Sequence, residues 1–274
     1  MENKPQTVGN QNLISGSEAR MAAYLRKKNL DYVNNRDETI TVHQGLYVKY
    51  IKRVLDLLVA IPAFVVTFPF NLVFGICTFF DVGKPIFYKQ TRIGKAGKPF
   101  TIVKFRNMNE KKDENGKLLP AKERVTKFGR FMRKFSLDEL LNFWSVLKGD
   151  MSIIGPRPLP EFFVERMSER HKMRHVVKPG LECPRVYVPE GENLCNYHKQ
   201  FENDIWYVQH VSFLTDIKMC FQLVAMVFEL RTRDRRAKGN AASYFVGYDE
   251  EGHALSMNTA SQMYPEVIEE KVGV

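Results

Sequence analysis

From Leu57 to Phe80 the chain runs for about 24 residues without a charged side chain. As a helix that stretch is roughly 36 Å long, enough to cross a hydrocarbon core. Its prolines argue against a plain crossing. Pro62 and Pro69 interrupt the run. Pro69 removes one helical hydrogen bond and crowds the carbonyl of Val65, which predicts a bend or break there. Charge argues the same way. Lys49, Lys52 and Arg53 precede the run, and Lys84, Lys89, Arg92, Lys95 and Lys98 follow it. A single span biases cations to its cytoplasmic side, so basic residues on both flanks predict a helix–break–helix that dips into the bilayer and returns. A transmembrane helix with tolerated prolines is the alternative.

The formal net charge of +10 calls for an anionic partner: nucleic acid, anionic lipid or a phosphorylated substrate. Basic residues are spread along the chain and no nucleic-acid reading motif is present, so no nucleic-acid partner is expected. The four cysteines, Cys77, Cys183, Cys195 and Cys220, are scattered and read as free thiols. Cys183, Cys195 and His198 lack the paired spacing of a zinc site. The N-terminus has no apolar h-region, so no signal peptide is expected.

Chemistry concentrates between Arg133 and Pro158. Ser136-Leu137-Asp138-Glu139 has the form of a capping box, with Leu140, Leu141, Trp144 and Leu147 following at helical spacing. That places Asp138 and Glu139 in a first helical turn, where acidic residues are ordinarily good helix starts. Arg130, Arg133 and Lys134 precede them, and Lys148 and Arg157 follow. Gly155-Pro156-Arg157-Pro158 fixes backbone on both sides of one guanidinium, a rigid way to present it to phosphate oxygens. An aspartate can attack phosphorus if cations neutralise the phosphate.

Ser136-Leu137-Asp138-Glu139-Leu140-Leu141, Leu147-Lys148-Gly149-Asp150-Met151-Ser152 and Gly155-Pro156-Arg157-Pro158, in that order and spacing, resemble the bacterial sugar transferases, the monotopic polyprenyl-phosphate phosphoglycosyl transferases. The likeness runs from about Tyr47 to about Lys218. It implies transfer of a sugar-1-phosphate from a UDP-sugar to a polyprenyl phosphate, with release of UMP. The enzyme would sit in a bacterial inner membrane, its catalytic domain on the cytoplasmic face. Asp138 would be nucleophile or base and metal ligand, with Glu139 assisting and Mg2+ as the cation. Arg92, Lys104, Arg133 and Arg157 would hold phosphate, and Pro69 falls at the family's helix break. Two departures stand out. The family often has Ser-Pro where this chain has Phe68-Pro69. Leu181 to Tyr187 replaces the family's usual continuation after Pro-Gly, so sugar identity does not transfer.

The expected fold class is α+β, mainly helical, with a re-entrant membrane hairpin, a small β-hairpin and amphipathic surface helices. Residues 1–46 form a polar extension with one short helix over Ser17–Lys28. Residues 47–82 form the membrane hairpin, 83–236 the catalytic domain and 237–274 a tail. Arg53 and Asp56, three apart, are placed to pair on one helical face. Strands flank Gly94–Pro99. Lys127–Lys134 is a short helix with Phe128 and Phe131 inward and its arginines outward. Glu161–Val177 reads as one amphipathic helix. Phe213–Leu230 carries Leu214, Ile217, Phe221, Val224 and Phe228 on one stripe, facing either a core or a membrane plane, and ends in a basic run from Arg231 to Lys238. Homo-oligomerisation is left open. The competing function is a non-catalytic membrane-surface module that binds anionic lipid or partner proteins, which leaves Asp138-Glu139 and Gly155–Pro158 without a role.

Overall fold

A computed structural model describes residues 16–40, 42, 45–191, 194–228 and 244–269. Among the described residues the fold is mainly helical, with three two-stranded sheets. The basic run Arg231–Lys238 lies outside the described residues.

Helix α1 (Gly16–Leu25) continues through a π-turn (Arg26–Leu30) into α2 (Asp31–Arg36). The helical stretch is thus longer than Ser17–Lys28. After a π-turn at Tyr47–Ile51 comes α3 (Lys52–Val82). Among the described residues this is the one helix long and apolar enough to cross a membrane. It remains helical through Pro62 and Pro69, so the expected break is not a loop. The Thr67 hydroxyl donates to the carbonyls of Ala63 and Phe64, just ahead of the Pro69 gap. Such local donors and acceptors are how membrane helices carry proline. Leu58, Val65, Val66, Phe68 and Phe80 stand exposed along α3.

Both ends of α3 are fastened to the same body. At its start, Lys52 pairs with Asp216 at 2.6 Å. Arg53 donates to the carbonyls of Val146 and Leu147, and Asp56 accepts from the Ser152 hydroxyl and the Ile153 amide. The expected Arg53–Asp56 pair is therefore replaced by two tertiary anchors, because each group finds a buried partner its neighbour cannot offer. At its end, Thr126 donates to Asp81 and Arg106 to the carbonyl of Val82.

Strands β1 (Phe87–Ile93) and β2 (Pro99–Phe105) form the expected antiparallel hairpin. A short helix α4 (Ala121–Arg124) leads to α5 (Lys127–Lys134), where Thr126 caps the start by accepting from the Gly129 amide. Its inward face is Gly129 and Met132; Arg130 is exposed as expected, whereas Phe131 is exposed and Arg133 turns toward the interior, against the sequence expectation for those two. Helix α6 (Asn142–Lys148) precedes β3 (Ser152–Ile154), which pairs in parallel with β4 (Gly180–Glu182). Gly180 is required at this crossing: a Cβ there would lie 2.1 Å from the Gly155 nitrogen.

The stretch Glu161–Val177 is three short pieces rather than one helix. They are α7 (Glu161–Val164), α8 (Glu169–Lys172) and a 3-10 turn (Met173–Val176). Ser168 divides them by accepting from the His171 amide, a new N-cap. Helix α9 (Asn196–His210) and α10 (Phe213–Phe228) complete this body. On α10 the apolar stripe Leu214, Ile217, Phe221 and Val224 is exposed, while Met219 and Asp216 face inward. The core alternative for that stripe is thereby overturned.

Strands β5 (Phe245–Tyr248) and β6 (Ala254–Ser256) pair antiparallel and pack on α1, burying Met21, Leu25, Val246 and Leu255 together. The N-terminal and C-terminal segments thus close into one cap. The buried Tyr248 hydroxyl contacts His171 at 2.8 Å, and the Ala254 amide donates to His198.

Candidate active site

Asp138 and Glu139 do not open an α-helix. They lie in a 3-10 turn (Leu137–Glu139), and α6 begins only at Asn142. Ser136 sits in the left-handed region (φ 56°) and makes no capping hydrogen bond, so the capping box is not formed. The reason is visible in Glu139: instead of reaching back, it reaches out to two cations. Lys104 on β2 approaches Oε1 at 2.5 Å and Arg157 at 2.7 Å. Two charge-assisted bonds outweigh one backbone cap. Burial pushes the Glu139 carboxyl upward, but the Arg157 and Lys104 charges prevail and hold it well below the usual carboxylate range.

Asp138 is 8% exposed. Its Oδ2 accepts from the Asn107 amide at 2.9 Å, and the Asn107 oxygen in turn accepts from Arg133 at 2.8 Å. Arg133 therefore acts on Asp138 through a neutral relay. Burial raises the Asp138 carboxyl, and the nearby Glu139 charge adds to it, while Lys104 and Arg133 oppose both. The adjacent acids are pushed in opposite directions, the pattern of functional carboxylate pairs.

Arg157 is braced on its far side by Glu182 at 3.2 Å. Arg92 does not reach either acid by hydrogen bond. It donates to the Pro158 carbonyl and to Gln90, and burial, followed by the Arg157 charge, lowers its guanidinium to about 10. Of the four expected phosphate cations, Lys104 and Arg157 contact Glu139, Arg133 stands one relay away, and Arg92 buttresses the turn that carries Arg157. Asn107 and Glu182 were not singled out from sequence. Asn107 follows the second strand of the hairpin, and its role depends on a contact between residues 31 positions apart.

The site borders an apolar surface. Phe131, Phe135 and Trp144 flank the acidic turn and are exposed, and the Trp144 ring lies 5.8 Å from Phe64 on α3. As for metal, Glu139 is already engaged by two cations, which leaves Asp138 as the carboxylate for an ion. One carboxylate beside a diphosphate suits Mg2+, which keeps most of its shell as water and substrate oxygens. Cys183, Cys195 and His198 make other contacts: Cys183 receives Asn203, Cys195 meets the Ala254 carbonyl, and His198 receives the Ala254 amide.

A buried and a half-buried carboxylate with opposed protonation tendencies thus sit among cations at the edge of an exposed apolar surface, an arrangement suited to phosphate chemistry. The chain belongs to the bacterial sugar transferase family, whose model matches residues 47–230. It is 42% identical over 169 residues to the uncharacterized sugar transferase EpsL of Bacillus subtilis, covering 62% of this chain and 83% of that protein. It is 30% identical to the UDP-N-acetylgalactosamine-undecaprenyl-phosphate N-acetylgalactosaminephosphotransferase of Aeromonas hydrophila, over 65% of this chain and 44% of that one. It is 33% identical to the UDP-glucose:undecaprenyl-phosphate glucose-1-phosphate transferase of Klebsiella pneumoniae, over 63% and 39%. The match thus spans less than half the length of the last two relatives. The cap built from residues 16–36 and 244–269 lies outside the matched region.

Proposed function

We propose that this protein transfers a sugar-1-phosphate from a UDP-sugar to polyprenyl phosphate at the cytoplasmic face of a bacterial inner membrane, releasing UMP and starting assembly of a surface glycan. The relatives named for such transfers support the substrate classes. The observation that carries the reaction is the Asp138–Glu139 turn, with Lys104 and Arg157 locked on one acid and Asn107 aiming the other.

An Asp138 oxygen attacks the phosphorus next to the sugar, and the bond to the UMP oxygen breaks. The resulting acyl-phosphate is then attacked by the phosphate of the lipid acceptor, which frees the carboxylate. Asp138 must approach an anionic phosphate, so fixed cations are required. Lys104 and Arg157 supply charge at the site, and Glu139 keeps both oriented. Mg2+ held by Asp138 would share the diphosphate charge.

The acceptor's phosphate is tethered at the lipid surface, so the site must be there too. A re-entrant α3, bent at Pro69, supplies that placement. Its support is that both helix ends grip one body, which a helix crossing to the far side could not do, and that exposed aromatics surround the acidic turn. The exposed stripe of α10 would lie in the same membrane plane.

The test is UMP release from a panel of UDP-sugars with polyprenyl phosphate and Mg2+, with and without EDTA. Asp138→Asn should lose activity by a factor on the order of 10^4 or more while staying membrane-bound. Near-normal UMP release by that variant would remove Asp138 from the mechanism.

A further inference from the structure

Arg174 lies in the 3-10 turn Met173–Val176, far in sequence from the acidic pair, and is 2% exposed. Its Nη2 donates to the carbonyl oxygen of Arg157 at 2.7 Å. The same nitrogen lies 2.7 Å from Oδ2 of Asp204, which is fully buried. Burial pushes the Asp204 carboxyl up, and Arg174 is the first charge opposing it. A buried ion pair is weak ground for stability, since apolar replacements of both partners are often tolerated. What this pair does is geometric.

The three carbonyls of Pro156, Arg157 and Pro158 are each gripped by a different donor. The Gly180 amide holds Pro156 at 3.1 Å, Arg174 holds Arg157, and Arg92 holds Pro158 at 3.2 Å. A turn pinned at three successive carbonyls leaves the Arg157 side chain little choice of direction. That direction is toward Glu139 and Glu182.

We propose that Arg174 is a positioning residue: by holding the Arg157 carbonyl it aims the Arg157 guanidinium at Glu139 and at the phosphate that binds there. The inference rests on the reaction proposed above. Asp204 orients Arg174 in turn, and the Arg174 guanidinium packs 5.5 Å from the Phe201 ring.

The test uses the full chain in lipid nanodiscs. Arg174→Met leaves Asp204 without its counter-ion, so the main variant is the pair Arg174→Met/Asp204→Leu, which leaves no orphan charge; Arg174→Lys is the conservative variant. A misaimed catalytic group costs on the order of a hundredfold in kcat/KM. That loss is expected in the wild-type background, with KM for the UDP-sugar raised, KM for polyprenyl phosphate unchanged and partial recovery in Arg174→Lys. In an Arg157→Ala background the further loss should be under about threefold, because the two changes act on one group. Equal losses in both backgrounds overturn the proposal. Guanidinium NMR of 15N-arginine-labelled protein, with Arg157→Lys as the assignment, reads the same geometry without turnover. The slowed rotation of the Arg157 Nη groups that pairing with Glu139 imposes should be lost in the double variant, and an unchanged signal also overturns the proposal. If wild type releases no UMP from any UDP-sugar, the proposed reaction fails and the guanidinium NMR result still decides the role of Arg174.

Discussion

Lys52→Met removes the cation from a buried cluster at the start of α3. Asp216 accepts there from Lys52 at 2.6 Å, from Tyr47 at 2.6 Å and from Tyr207 at 2.7 Å. The Lys52 and Asp216 side chains are 9% and 10% exposed. At that separation the direct attraction is about 6 kcal/mol for an effective dielectric near 20. Desolvation of both ions offsets most of it, but removing one partner strands the other and costs about 3–5 kcal/mol. Two tyrosine hydroxyls still serve Asp216 in Lys52→Met, which sets the expected loss at the lower end, about 3 kcal/mol. For a chain of this size that is a fall of roughly 6–12 °C in Tm. The assay is thermal unfolding of the detergent-solubilised chain, followed by tryptophan fluorescence. It is run as a double-mutant cycle with Asp216→Leu, and the two losses should fall short of additive by about 2 kcal/mol or more. A coupling below about 0.5 kcal/mol would refute the claim that this pair fastens α3 to α10.

Gly180→Ala should cost on the order of 3 kcal/mol or more and abolish turnover, since its Cβ would meet the Gly155 backbone at 2.1 Å and part the strands behind Arg157; chemical denaturation and UMP release check it. His198, whose ring accepts the Ala254 amide, is depressed to about 4 by burial and by its neighbour His171, against the Glu202 charge. Its folded value lies below its unfolded one, so its contribution is whole above about pH 6.5 and disappears as pH falls toward about 4, up to about 3 kcal/mol. His198→Gln should flatten the wild-type fall in Tm across that window, and an unchanged pH profile would count against the latch between α9 and the C-terminal hairpin.

The uncharged run Leu57–Phe80, its flanking cations and the β-hairpin were legible because each is written in consecutive residues: length, charge and alternation need no tertiary partner. The acidic pair and the Gly155–Pro158 turn were legible for the same reason. What Arg53 and Glu139 actually bond was not. Local rules offered each a neighbour in sequence, a cap or an ion pair three residues away, and a partner from a distant element won. Arg133 belongs with them: an arginine on a short helix looks solvent-facing in sequence until Asn107 is folded against it.

Sequence alone determined that this chain carries an uncharged run long enough to cross a membrane and an acidic pair with cations close by along the chain. Only the tertiary structure decided which cation meets which acid, that Arg174 grips the Arg157 turn, and that residues 16–36 and 244–269 close into a cap. The physical reason is distance along the chain: periodicity and charge runs report on neighbours, whereas these contacts join segments whose meeting depends on how the whole core packs.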